Sequence, residues 1–549
     1  MKEENMKKTL SVLLALTMAA GLAACGGSSG TQTTTAAAAP AETQAAAPAS
    51  EAAPAAETEA AAPAEAAADD TLRVIQALDP GTFQPGNNDE QSYNRITAQI
   101  YDTLFRFDEN GELQPWLAES YEWDDDTHMR VHLRDGVKFS DGSPFTAEDV
   151  IWTITYAIET NLPNAKYNLI DAEGCEVVDD LTCIIATKYP VGGLANHLAY
   201  PQCCIGSKKA FEEGNGDWLG ASVVGTGAYK LVDYTPGDII HLTANENYWV
   251  EGEPKVKNLE IRVVLSGEAR ATEAKTKQYD IILTPNAREL DLLDSMDGIH
   301  VEYGQTAKTT YMLLNVKHAP MDNVKVREAF ARAIDVTATV KLAYGNFGNP
   351  ATAFIVPGIA GANEETYQKY YGAGHDVEAA KALLAEAGYA NGVDVEITVE
   401  SNDSQRCDMA EAIQAQVAEA GINVSINKME DAPMREYIGA GNHQMCLYGF
   451  TANTMEADGF LNQIQPGSGA LARIGYDRQE FFDRYLEGAA TADADARKAI
   501  WEECLEMLME DYTMIPLNHQ RLGAVVLDSV SGFWWARDYE EVYYAYISK

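Results

Sequence analysis

Apolar and polar residues alternate along residues 131–134, which is the two-residue period of a half-buried strand. Turn-forming residues follow, among them Asp135-Gly136 and a Ser-Asp-Gly-Ser-Pro segment. The motif Thr146-Ala-Glu-Asp149 then predicts a capping box, and apolar residues recur at helical spacing after it. This part of the chain therefore predicts a strand, a tight turn and a capped helix.

The same two periods predict elements along most of the chain after residue 70. Short apolar segments predict strands at residues 71–75, 279–283 and 424–428. Apolar residues at helical spacing predict helices at residues 94–107, 268–277, 376–388, 404–421 and 494–511. Helices that alternate with short strands indicate an α/β fold with a largely parallel sheet.

The first 70 residues have a different pattern. Residues 1–25 combine lysines, an apolar run of 15 residues and small residues before Cys25, as in an export signal peptide. Leu22-Ala23-Ala24-Cys25 resembles the bacterial lipobox, which implies lipidation of Cys25 and a membrane anchor. Residues 26–70 are rich in Ala, Pro and Thr and lack aromatic residues, so they predict a disordered linker.

Charge and composition exclude several classes of partner and chemistry. The chain has 83 acidic and 40 basic residues, a net charge of −43, which argues against binding to nucleic acid or to anionic lipid headgroups. Nucleotide, zinc-protease and serine-hydrolase motifs are absent, and no His/Cys metal spacing occurs, so we expect no enzyme activity, cofactor or metal. Cys175 and Cys183 flank a predicted hairpin and either pair across it or remain free thiols.

Several segments carry a family resemblance. LRDGVKFSDGSPFTAEDV at residues 133–150 resembles a signature of the family 5 extracellular solute-binding proteins of ABC importers. Residues 100–123, 223–230, 239–264, 311–315 and 322–335 resemble further segments of that family in the same order. The glycines of Gly225-Thr-Gly227 allow a sharp reversal of the backbone.

The resemblance implies a two-lobed, periplasmic-binding-protein-like α/β fold with an extra domain inserted in the first lobe. It implies lobe I from residues 71–97, 222–310 and 520–549, the inserted domain from residues 98–221, and lobe II from residues 311–519. The implied function is a lipid-anchored extracytoplasmic receptor, monomeric, that captures short peptides by lobe closure and delivers them to a membrane permease. A non-peptide solute such as an oligosaccharide, metal chelate or modified amino acid stays open, as does an enzyme, adhesin or sensor on the same body.

The resemblance also indicates ligand-binding residues. Peptide-binding relatives hold the ligand amine with an Asp in a G-W-x-x-D segment, which corresponds here to the segment from Tyr448 through Phe450 to Asn453. Asn453 carries no charge, so Glu456 or Asp458 is the alternative acceptor for an amine. Outside this segment, Arg473 is a candidate for a ligand carboxylate, and Trp535 either stacks on the ligand or seals the core.

Overall fold

The computed structural model describes residues 70–87, 91–372, 374–452, 454–536, 542 and 544–549. Cys25 and Asn453, the predicted signal peptide and the predicted linker up to residue 69 lie outside this part. No helix within these residues is both long enough and apolar enough to cross a membrane. The described strands are β1 (Thr71–Gln76), β2 (Phe105–Phe107), β3 (Leu113–Pro115), β4 (Ala118–Trp123), β5 (His128–Leu133), β6 (Glu176–Asp179), β7 (Thr182–Ala186), β8 (Tyr229–Thr235), β9 (Ile239–Ala244), β10 (Asn258–Val263), β11 (Ile281–Leu283), β12 (Ile299–Leu314), β13 (Val393–Glu400), β14 (Ile422–Met429), β15 (Met445–Thr451) and β16 (Met514–Leu527).

Helices alternate with these strands along the chain. The described α-helices are α1 (Gln91–Ile100), α2 (Ala147–Glu159), α3 (Leu194–His197), α4 (Lys208–Glu213), α5 (Gly267–Thr276), α6 (Leu290–Asp294), α7 (Val324–Arg332), α8 (Val336–Tyr344), α9 (Glu364–Tyr371), α10 (Val377–Glu386), α11 (Ser404–Ala418), α12 (Asp431–Gly439), α13 (Asp458–Leu461), α14 (Leu471–Ile474), α15 (Gln479–Ala490) and α16 (Ala494–Glu510). Asp side chains cap several of them, as at Asp376 and Asp403, which accept from backbone N–H groups of the first turn.

One ten-stranded sheet joins two lobes in the described part of the chain. Its strand order is β14-β13-β15-β12-β16-β11-β1-β10-β9-β8. β13, β14 and β15 run parallel to one another on one side, and β1, β10 and β11 run parallel on the other. We call the first side lobe II and the second lobe I. The fold is thus the two-lobed α/β architecture that the sequence resemblance implies.

The strands β12 and β16 pass from one lobe to the other and pair antiparallel along almost their whole length. The pairing register shifts between Gln305 and Thr309 and again between Thr310 and Tyr311. Such irregularities bend a strand and increase its local twist. We refer to residues 304–311 of β12 with residues 518–522 of β16 as the hinge.

Residues between α1 and β8 form a second, antiparallel sheet of order β4-β5-β7-β6. α2 packs against it, and the backbone N–H of Thr146 donates to the Asp149 carboxylate at 3.0 Å, as in the predicted capping box. Cys175 and Cys183 are free thiols, as are the other cysteines of the described residues. Of the two alternatives left by the sequence, the hairpin disulfide is therefore excluded.

The helix predicted for residues 94–107 ends early, at Ile100, and the chain continues into β2. Gly225 and Gly227 press against the end of α1, where Gly227 N–H donates to the Ile100 carbonyl at 2.9 Å. A Cβ at Gly225 would lie 2.0 Å from the Ile100 oxygen, so only glycine fits. The two glycines thus serve this close approach, which helical periodicity could not predict.

Two buried histidines predict how stability depends on pH. Burial lowers the pKa of His519, in the hinge, and of His443 to about 4. In the unfolded chain both histidines become protonated near pH 6.5, whereas in the folded protein they stay neutral down to about pH 4. Their contribution to the free energy of unfolding is therefore complete above pH 6.5 and decreases as the pH falls toward 4. We expect the free energy of unfolding, from urea titrations between pH 7 and 5, to decrease by up to about 1.4 kcal/mol per pH unit per histidine.

The variant His519→Gln should flatten this pH dependence. His132→Gln is the matched control, because the His132 side chain is 42% exposed on β5, and its pH profile should match that of the parent protein. An equal slope in the parent and His519→Gln proteins would contradict the assignment.

Candidate functional site

The carboxyl ends of the parallel strands in both lobes point toward the hinge. In lobe II these ends are Glu400, Met429 and Thr451, and Thr451 pairs with Lys308 of β12. In lobe I, the segment after β11 brings Ala287 to the same place. Ligands of open α/β sheets bind in the crevice outside the carboxyl ends of the strands. The fold therefore places its candidate site in the cleft beside the hinge.

Two adjoining cavities open in this cleft and share the side chain of Lys308. The larger has a volume of about 570 Å³ and lies along the end of β15. The smaller has a volume of about 250 Å³ and extends to the N-terminus of α11 and the hinge. Sites for small molecules have volumes of roughly 300–1,000 Å³. The cleft can therefore accept a solute of the size of a short peptide.

Tyr448 and Arg473 line the larger cavity together. The guanidinium carbon of Arg473 lies 4.1 Å from the centre of the Tyr448 ring, and that of Arg406 lies 5.8 Å from it. Nε of Arg473 is buried without a hydrogen-bond partner in the described residues. The pair offers a ligand an aromatic surface and a cation that carries bidentate hydrogen-bond donors.

Phe450 contributes to the wall from below the surface. Its side chain is buried, and its ring packs in edge-to-face geometry against Tyr448 and Phe460 at 5.7 Å from each. Tyr311 completes the cluster from β12, and its hydroxyl donates to the Phe354 carbonyl. Phe450 therefore fixes the position of Tyr448, while Tyr448 presents its surface to the cavity.

Glu456 lies in a buried network outside the two cavities. Its carboxylate accepts from Arg497 at 2.5 and 2.7 Å, from Asn196 at 2.5 Å and from the indole of Trp501 at 3.2 Å. Burial opposes the charge of Arg497, but the hydrogen bond and charge of Glu456 raise the pKa of Arg497 above its usual value. Because all these internal donors bind one carboxylate, Glu456 is not available to a ligand amine. This differs from the alternative, predicted from the sequence, that Glu456 accepts from such an amine.

Asp458 has internal partners of the same kind. The Thr454 hydroxyl donates to one carboxylate oxygen, and Nε2 of His197 lies 3.3 Å from the other. Burial alone would raise the pKa of Asp458, but the hydrogen bond and charge of His197 outweigh burial and lower it. His197 and Asn196 belong to α3, so this network connects the segment between α1 and β8 to the segment after β15. Asp458 therefore contributes to an internal contact.

Trp535 belongs to the core of lobe I. It is 8% exposed, and its indole N–H donates to the Glu302 carbonyl at 3.3 Å. Gly304, at the hinge, makes room for it, because a Cβ there would lie 2.4 Å from the indole ring. Of the two alternatives for Trp535, the structure favours the core.

Four basic side chains of the cavities were not predicted from the sequence, namely Lys308, Arg406, Arg435 and Arg521. They lie on four different elements, β12, α11, α12 and β16. Their position next to strand ends could have identified them only after the pairing of β12 with β15 and β16 was known.

Comparison with known proteins agrees with this geometry. Residues 112–471 match the family model described as bacterial extracellular solute-binding proteins, family 5, middle region. The glutathione-binding protein GsiB of Escherichia coli (strain K12) is 29% identical over 465 residues, covering 82% of this chain and 90% of GsiB.

Solved structures match over a similar length. HbpA2 from Haemophilus parasuis superimposes with a TM-score of 0.78 at 25% identity, covering 87% of this chain and 99% of HbpA2. The periplasmic binding protein DppA from Helicobacter pylori, in complex with the peptide STSA, superimposes with a TM-score of 0.64 at 24% identity. The match covers 87% of this chain and 97% of DppA. The similarity therefore extends across both lobes.

The network around Glu456 predicts a loss of stability on substitution. Glu456→Ala leaves Arg497 buried without its partner, which should lower the free energy of unfolding by about 3–5 kcal/mol, measured by urea titration. Glu480→Ala is the control, since Glu480 forms an exposed ion pair with Arg478, and should cost no more than about 1 kcal/mol. Retained stability together with lost ligand binding in Glu456→Ala would instead assign Glu456 to the ligand.

Proposed function

The chain belongs to the bacterial extracellular solute-binding proteins of family 5, and from this premise we propose that it captures a short peptide or peptide-like solute outside the cytoplasm. In this proposal it delivers the solute to the permease of an ABC importer. The observation that supports it most is the cleft at the hinge, in which Tyr448 and Arg473 face an open volume. The glutathione-binding and peptide-bound relatives support the same class of ligand.

The proposed mechanism is capture by closure of the lobes. The lobes are joined by β12 and β16, whose register shifts at the hinge allow the strands to bend. Tyr448 provides a surface for the apolar or amide part of the ligand, and Arg473 binds a carboxylate through its paired donors. No covalent bond forms or breaks in this cycle.

The proposal keeps the boundaries of the lobes and of the inserted domain at the ranges given from the sequence, and in it the receptor acts as a monomer.

Ligand binding should raise the stability of the protein. A solute that binds only the folded state adds about 2.7 kcal/mol to the free energy of unfolding at 100 times its dissociation constant. We expect this increase, followed as a rise in the unfolding temperature, with members of a panel of di- to pentapeptides and glutathione. Oligosaccharides and metal chelates serve as the comparison.

Tyr448→Ala should weaken the response to the same peptides about tenfold without changing the unfolding temperature of the free protein much, because the Tyr448 ring is partly exposed at the cavity. A rise with sugars or chelates only, and none with peptides, would overturn the peptide proposal while leaving a solute receptor.

We also propose that Cys25 carries a lipid that anchors the receptor at the outer face of the cell membrane. The support is the lipobox-like segment that ends at Cys25. Cys25→Ser should release the protein from the membrane fraction and abolish incorporation of labelled palmitate. Cys407→Ser is the control, because Cys407 is a free thiol of the folded body, and it should change neither result. Labelled palmitate retained in Cys25→Ser would contradict the assignment.

A further inference from the structure

The segment that follows α8 crosses from one lobe to the other. Tyr344, the last residue of α8, packs against the apolar cluster of lobe II that contains Ile397 of β13. Three residues later, Phe347 packs against the apolar cluster of lobe I that contains Ile75 of β1. We call residues 345–349 the strap, because they carry the chain of lobe II onto the surface of lobe I.

Polar side chains of the strap bind the same neighbours. Nδ2 of Asn346 donates to the carboxylate of Asp291, on α6 of lobe I, at 2.8 Å. Nδ2 of Asn349 donates to the side-chain oxygen of Gln305 at 2.7 Å, and its own side-chain oxygen accepts from Arg521 at 3.1 Å. Gln305 and Arg521 belong to the hinge. The strap is therefore held to lobe I and to the hinge by hydrogen bonds as well as by an aromatic ring.

The strap begins at a residue whose backbone only glycine adopts readily. Gly345 has a φ of 62° and a ψ of −139°, in a region that side chains with a Cβ strongly disfavour. A Cβ at Gly345 would meet nothing within 4 Å, so the backbone and not the surrounding space requires glycine. The turn at Gly345 directs the chain away from α8 and toward lobe I.

The strap lies between two cavities. Tyr344 and Phe347 line the smaller cavity of the candidate site and also a third cavity, which has a volume of about 300 Å³. Asp291 and Asn346 line the third cavity and neither cavity of the candidate site. The strap therefore crosses open space between the lobes, and one of its hydrogen bonds to lobe I lies outside the candidate site.

We propose that the strap holds the two lobes together in the free receptor and so sets the fraction of molecules that are closed. This inference rests on the proposed function, because it specifies what controls lobe closure. A solute in the smaller cavity contacts Phe347, so solute and strap favour the same arrangement of the lobes. When only a fraction of the molecules has the binding arrangement, the apparent affinity is reduced by that fraction. Weakening the strap therefore weakens capture.

Small-angle X-ray scattering of the free protein tests the effect on the lobes. Phe347→Ala removes the apolar contact with lobe I, so we expect a larger radius of gyration than in the parent protein. Phe211→Ala is the matched control, because Phe211 is also half-buried, packs beside Trp152 and Trp218, and lines none of the three cavities. Its radius of gyration should equal that of the parent.

Asp291 and Asn346 test the effect on capture, because neither lines the candidate site. Asp291→Ala and Asn346→Ala should each weaken the binding of every peptide that binds the parent by the same factor, about threefold. The double variant should bind no more weakly than either single variant, because all three lack the same hydrogen bond. Calorimetric titration with glutathione and with the peptides that raise the unfolding temperature measures these factors.

Asp394→Ala is the matched control for this pair. Nδ2 of Asn423 donates to Asp394 at 2.9 Å, which is also an exposed bond between an asparagine and an aspartate, but both residues lie in lobe II, on β14 and β13. Asp394→Ala should leave the dissociation constants unchanged.

The outcomes separate this proposal from the proposed function. Equal radii of gyration in the parent and Phe347→Ala proteins would overturn the role of the strap. Unchanged or tighter peptide binding in Asp291→Ala and Asn346→Ala would overturn it as well. If no member of the panel binds the parent protein, the proposed function fails, while the scattering comparison still decides whether the strap holds the lobes together.

Discussion

The antiparallel pairing of β12 with β16 is the interaction on which the rest of the structure depends. These two strands pass between the lobes, and the strands of each lobe add to them on either side of one continuous sheet. Backbone hydrogen bonds hold the pair together on both sides of the register shifts. The lobes are therefore joined where the ladder is irregular, and the cleft lies at the same level as the hinge.

Two carboxylates close to the cleft have partners within the protein. Glu456 and Asp458 lie in a motif region that resembles the amine-binding segment of peptide receptors, yet Arg497, Asn196 and His197 occupy them. A buried charge of this kind must have a partner, and here the partners come from α3 and α16. These acids thus stabilise contacts between distant segments of the chain, and the charged side chains that line the cavities are mostly cations.

The sequence alone predicted a large share of the fold. Apolar residues at helical spacing predicted α10, α11 and α16 within a few residues of their observed bounds. These signals are local, so one sequence is enough to detect them. The prediction failed at the end of α1, because Gly225 and Gly227 reach its last carbonyls from more than 100 residues away.

At the candidate site too, the sequence predicted what depends on nearby residues and missed what depends on distant ones. The sequence determined that Tyr448, Phe450 and Arg473 lie near one another along the chain, and that the segment resembles a ligand-binding one. Only the tertiary structure decided which side chains face the cavity. It buried Glu456 against Arg497, placed Trp535 in lobe I, and brought Lys308 and Arg521 to the hinge. The physical reason is that strand pairing over some 140 to 220 residues sets these neighbours, and no local pattern records that pairing.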